Sequence, residues 1–156
     1  MSARTLLVVI VGLAAVIQDL GWRRISNWTS GGAVIAGLIV HLTQKGWSGA
    51  LHSLFGAVIG FSIFLIFYLL GGMGGGDLKL MAGFGALLGD GHILWAALFA
   101  AMSGGVMAVV YLAARAAARR WKTVPPADLS SGKTPESIPY APAITVGALL
   151  ALFSDM

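Results

Sequence analysis

Two of the chain's six acidic residues sit where a charge is costly, and they are its best candidates for acid–base chemistry. Asp77 follows Gly71 to Gly76, a stretch in which five of six residues are Gly, and it stands just before an apolar run that begins at Leu78. Asp19 closes another apolar run, Leu6 to Leu20. Gly loosens a helix and an ionised side chain is expensive beside hydrocarbon, so acids in such places mark function. Asp90, Asp128, Glu136 and Asp155 fall in expected turns, loops or the tail and read as solvated charge. The chain has no Cys, no H-E-x-x-H pattern and no Ser–His arrangement with a shared locale. Two carboxylates are then the plausible machinery for cutting a peptide bond. Held close, they cannot both ionise easily and share a proton. The ionised member takes a proton from water while the protonated member polarises the scissile carbonyl.

Composition says what must position them. Hydrophobic residues make up 58% of the chain and charged residues 10%, with a mean hydropathy of +0.87; a soluble domain carries about 25% charged residues. This predicts an all-α integral membrane protein. A length of 156 residues allows roughly six short transmembrane helices of about 20 residues each. They form one membrane-embedded domain over residues 1–156, with no separate soluble domain. Without Cys, neither a disulfide nor a Cys-based zinc site can form, and no cofactor or metal site is expected. The positive excess, 10 − 6 = 4, speaks to membrane topology rather than to nucleic acid.

The expected spans are 6–20, 31–42, 50–70, 78–88, 93–114 and 140–153. The fourth is too short to cross alone unless its helix is extended or a thinned or watery region lies beside it. Gly56 and Gly60 make a small-xxx-small pair suited to close helix approach. Trp22 and Trp28 flank the 22–30 connection and suit an interfacial belt. Residues 115–139 read as a helix end running into a basic loop. If the connections at 21–30, 71–79 and 115–139 share one side, that side holds Arg23, Arg24, Lys79, Arg115, Arg119, Arg120, Lys122 and Lys133. The other side holds only Arg4 and Lys45. Excess positive charge marks the cytoplasmic side, so both termini lie outside, a glycine-rich break precedes Asp77, and both acids sit near cytoplasmic helix ends.

Simpler roles compete at each position. Asp19 can pair with Arg23 or Arg24, and Asp77 can cap the helix that follows it. Gly74 and Gly76 can serve as turn glycines, or leave room for an extended substrate strand. Lys79 can snorkel to the membrane edge or steer an acidic substrate.

Gly74-x-Gly76-Asp77 with Leu78-Lys79-Leu80 resembles the GxGD signature of type IV prepilin peptidases, the A24-type aspartyl proteases. Asp19, Arg23, Arg24, Ile25 and Asn27 resemble that family's first-aspartate region, with Ser26 where the family usually has Pro. Ile138-Pro139-Tyr140-Ala141-Pro142-Ala143-Ile144 resembles its third patch. The resemblance implies catalytic aspartates at Asp19 and Asp77, supported by Gly74, Gly76, Lys79, Arg24, Asn27, Pro139, Tyr140 and Pro142. It implies a protease of the bacterial inner membrane. The substrates would be prepilins or pseudopilins, whose short basic leader precedes a hydrophobic helix and is removed at the cytoplasmic face. Longer members also methylate the new amino terminus, using a Cys-rich zinc-binding region; without it, this chain resembles the small peptidase-only kind associated with tight-adherence (Flp) pili. The alternatives are a proton-coupled channel or transporter with Asp19 and Asp77 as relay carboxylates, a structural subunit, and a GxGD protease with a different membrane-helix substrate.

Overall fold

The computed structural model describes residues 3–22, 24–70, 73–121 and 140–153. Among them are five helices and no strand: α1 Ala3–Trp22, α2 Asn27–Leu69, α3 Gly75–Leu88, α4 Asp90–Trp121 and α5 Ala141–Phe153. Arg23, Pro139 and the part of the basic loop at 122–139 lie outside the described residues.

Two glycines set the course of the chain. Gly46 has φ 62° and ψ −146° inside α2, a backbone region that residues with a Cβ rarely enter. The chain doubles back there, and Gly49 comes against the carbonyl of His41. The expected spans 31–42 and 50–70 are thus the two arms of one broken helix. Gly89, at φ 78°, ends α3 by donating its N–H to Gly85 O at 2.8 Å. Asp90 starts α4 rather than a turn, and as an acid in the first turn it suits the positive end of the helix dipole.

α3 is the centre of the bundle. Leu80, Met81, Phe84, Leu87 and Leu88 are all at most 1% exposed. At 14 residues it is about 21 Å long, short of a hydrocarbon core of about 30 Å. The two arms of α2 resolve this by enclosing it. Gly83 meets Ser30 and Ala33, and Gly37 meets Ala86 on one arm; Gly56 meets Gly85, and Gly60 meets Met81 on the other. The expected Gly56–Gly60 pair does face a neighbouring helix, as small residues do where backbones approach. Two buried polar side chains serve the same seam: Ser53 Oγ donates to Ala86 O at 2.9 Å, and His41 Nε2 lies 3.1 Å from Leu87 O.

α5 fits between α1 and α4, with Thr145 against Gly12 and Gly147 against Ala96 and Ala100. Ser103 Oγ of α4 donates to Ala143 O of α5 at 3.0 Å. These contacts give the helix directions. The 24–26 connection, Met73–Gly74 and Tyr140 all lie at one end of the bundle. Gly46, Gly89, the start of α1 and the end of α5 lie at the other.

The outer faces are apolar. On α1 the buried positions are Val8, Gly12, Ala15 and Asp19, whereas Leu6, Ile10, Leu13, Ile17 and Leu20 are 49–63% exposed. Small residues face in and large aliphatic ones face out, a pattern that suits lipid as the solvent. α1 and α2 are long and apolar enough to cross a membrane, and Ala141–Leu152 is a shorter apolar helix.

Candidate active site

Asp19 and Asp77 come to the same end of the bundle, and each is only 7% exposed. Asp19 lies on the last turn of α1. Its Oδ2 accepts the backbone N–H of Ala141 at 3.0 Å, across 122 positions of sequence. Ala141 opens α5, where the first N–H groups have no partner inside the helix. Pro142 has no N–H to satisfy, and Ile144 N closes the first turn on Tyr140 O at 3.1 Å. The Tyr140–Pro142 patch therefore presents a helix N-terminus to an acid, and the dipole favours the negative charge.

Asp77 is not the N-cap of α3. Gly74 takes that position with extended backbone, φ −81° and ψ 152°, and Asp77 stands in the first turn. Its Oδ2 reaches back to accept the N–H of Gly74 at 3.3 Å, the acid's half of a capping box. Both carboxylates are thus fixed through Oδ2 by a backbone N–H at a helix start. α1, which carries Asp19, and α3, which carries Asp77, are in contact.

The 24–26 connection ties the two together. A Cβ on Gly76 would lie 3.3 Å from Ile25 Cβ, so one close approach at Gly76 is made by the chain's own Ile25. Ser26, in the place of the expected Pro, has φ −65°, the angle that Pro itself imposes. Its N–H donates to Gln18 Oε1 at 2.9 Å and its Oγ caps α2 by accepting from Trp28 N at 3.2 Å. The turn is held by hydrogen bonds where a ring would hold it. Lys79, expected either to snorkel to the membrane edge or to steer an acidic substrate, donates from Nζ to Asn27 Oδ1 at 2.9 Å and so fastens α3 to the start of α2. Arg24 is exposed on the connection.

Tyr140 packs against Gly104 and forms part of an apolar cavity of about 230 Å³ between the second arm of α2, α4 and α5, lined also by Phe64, Phe67, Met73 and Ala101. Met73 leads into Gly74 and Tyr140 precedes Ala141, so the cavity opens at the end of the bundle that holds both acids, though neither acid lines it. Sequence reasoning missed Gln18 and Thr29, whose side chains bond at 2.8 Å. The position of Gln18, polar and next to Asp19 in an apolar run, was the available signal. At the far end of the bundle the exposed Asp90 has its Oδ1 2.9 Å from Nδ1 of His52. Both partners are well exposed, and such a pair contributes at most about 1 kcal/mol.

With this geometry in place, the sequence model of the type IV leader peptidase family matches residues 6–109, two thirds of the chain and both buried acids included. The chain belongs to the type IV leader peptidase family. It is accordingly a membrane peptidase, and prepilins are the substrates the family implies. No curated protein and no solved structure matches the chain. The family match ends before the 138–144 patch. What joins that patch to the candidate site is the hydrogen bond from Ala141 to Asp19.

Proposed function

We propose that this leader peptidase is an aspartyl endopeptidase that removes the leader of a prepilin or pseudopilin, with Asp19 and Asp77 sharing one proton. The observation that carries this reading is the pair itself: two buried acids at one end of the bundle, each held by a backbone N–H. One carboxylate takes a proton from water as the water attacks the scissile carbonyl, and the other, protonated, supports the developing oxyanion. The proton bookkeeping belongs to the pair, which titrates as a unit. Relay carboxylates of a transporter would instead line a path through the bilayer; here both acids lie at the same end.

The positively charged connections support the reading that this end faces the cytoplasm, with the protein in the bacterial inner membrane. On this reading the two arms of α2 count as separate spans, giving six in all with both termini outside. The apolar cavity beside Met73 and Tyr140 receives the start of the substrate's hydrophobic helix once the leader lies over the acids. The test is release of the leader from a prepilin reconstituted with the peptidase, followed by mass spectrometry. Ala101→Trp, which fills the cavity mouth, raises KM about tenfold for a full prepilin, equivalent to about 1.4 kcal/mol of lost binding, and leaves a short peptide spanning the leader junction unaffected. An equal effect on both substrates removes the cavity from the binding route.

No group of three or more His, Asp or Glu among the described residues is placed to hold a metal ion. Incubation with a zinc chelator accordingly leaves the cleavage rate unchanged. Inhibition reversed by added zinc overturns the two-acid mechanism.

A further inference from the structure

We propose that Gln18 is a positioning residue that sets the spacing of Asp19 and Asp77 by latching the 24–26 connection; this rests on the two-acid reading above. Three observations converge on it. Gln18 immediately precedes Asp19, and its side chain holds the N–H of Ser26 at 2.9 Å and the hydroxyl of Thr29 at 2.8 and 3.1 Å. Ser26 is joined to Ile25, which seats on Gly76 at the residue before Asp77. The latch thus starts beside one acid and ends beside the other, and it crosses from α1 to α3 through a segment with no helix of its own.

Its chemistry is tied to this chain's Ser26. A Pro at position 26 has no N–H and could not be held by Gln18. It would have no need of the bond, because its ring fixes the φ of −65° that Ser26 adopts. Gln18 and Ser26 together therefore do what a proline ring does alone. Without Gln18, Ser26 loses its restraint, Ile25 lifts from Gly76, and the acids drift from the separation at which they share a proton. A misplacement of about 1 Å in a catalytic group can cost on the order of a hundredfold in rate.

The latch is tested in two ways. In the first, Gln18→Ala lowers kcat for leader release about tenfold to a hundredfold, while KM stays within about twofold, since an unlatched pair affects chemistry rather than helix binding. Gln18→Glu, which keeps an acceptor for Ser26 N–H and Thr29 Oγ1, retains most of the rate. Adding Ser26→Pro to Gln18→Ala restores it. Wild-type kcat in Gln18→Ala, or no rescue by Ser26→Pro, overturns the proposal. The second test does not use activity. The chain has no Cys, so an Ile25→Cys, Gly76→Cys pair reports alone. The 3.3 Å between the Cβ positions is close to the ~3.5–4.5 Å of a disulfide. Oxidation is rapid with Gln18 present and several-fold slower with Gln18→Ala; equal rates overturn the latch. Because cross-linking does not need cleavage, full activity in Asp77→Asn would sink the peptidase mechanism and leave this result readable on its own.

Discussion

Asp77→Asn and Asp19→Asn each abolish leader release, lowering the rate by about 10²–10⁴-fold or more, the usual contribution of a positioned acid–base group. The structure makes these substitutions unusually clean. Each acid uses Oδ2 to accept a backbone N–H, from Gly74 or from Ala141, and an Asn side-chain carbonyl can accept the same bond. The helix starts therefore remain capped, and the amount of folded protein stays near that of the wild type. What is lost is the ability to carry or share a proton. The measurement is the leader released by purified, reconstituted enzyme, with a melting curve on the same preparation. Full cleavage by either variant, at normal protein level, eliminates the paired-acid mechanism. Loss of cleavage together with loss of fold would point to the capping role alone.

Gly85→Val is expected to have the largest effect on stability. Gly85 and Gly56 cross with their backbones in direct contact, and a Cβ on Gly85 would run into Gly56 O. The neighbour on the far side is backbone, which cannot swing away. Overpacking a core by a methylene or two costs about 1–3 kcal/mol, and separating two helices along a whole seam costs more. Gly85→Ala gives a lower melting temperature in detergent, and Gly85→Val gives little folded protein. Gly31 has nothing within 4 Å of an added Cβ, so Gly31→Ala stays within about 0.5 kcal/mol of the wild type. If both Ala variants melt alike, α3 does not sit between the arms of α2 as described.

Much of this arrangement is legible in the residues before any fold is known. The acids announce themselves because a carboxyl bordering an apolar run has few innocent reasons to be there. The hinge at Gly46 does not, because a lone glycine in Gln-Lys-Gly-Trp looks like many others, and only its φ of 62° distinguishes it. Periodicity placed an apolar segment at 78–88 but could not say how so short a helix lives in a membrane. That depends on glycines far away, at 37, 56 and 60, whose purpose appears only when the helices meet. Asn27 and Lys79 each stand out in the sequence, yet their bond at 2.9 Å joins positions 52 apart, a pairing that one sequence read alone does not contain. Gln18 is less conspicuous than the acids because an amide carries no charge, and only its polarity inside an apolar run sets it apart.

The bond from Ala141 to Asp19 has a consequence for the birth of the molecule. A growing polypeptide emerges from the ribosome with its first acid long before the residue that steadies it. Until α5 is made and inserted, that carboxyl is without the N–H of Ala141, and the proposed proton-sharing couple is unfinished. A partly synthesised copy that has not yet inserted α5 therefore lacks one of the contacts on which the proposed chemistry depends.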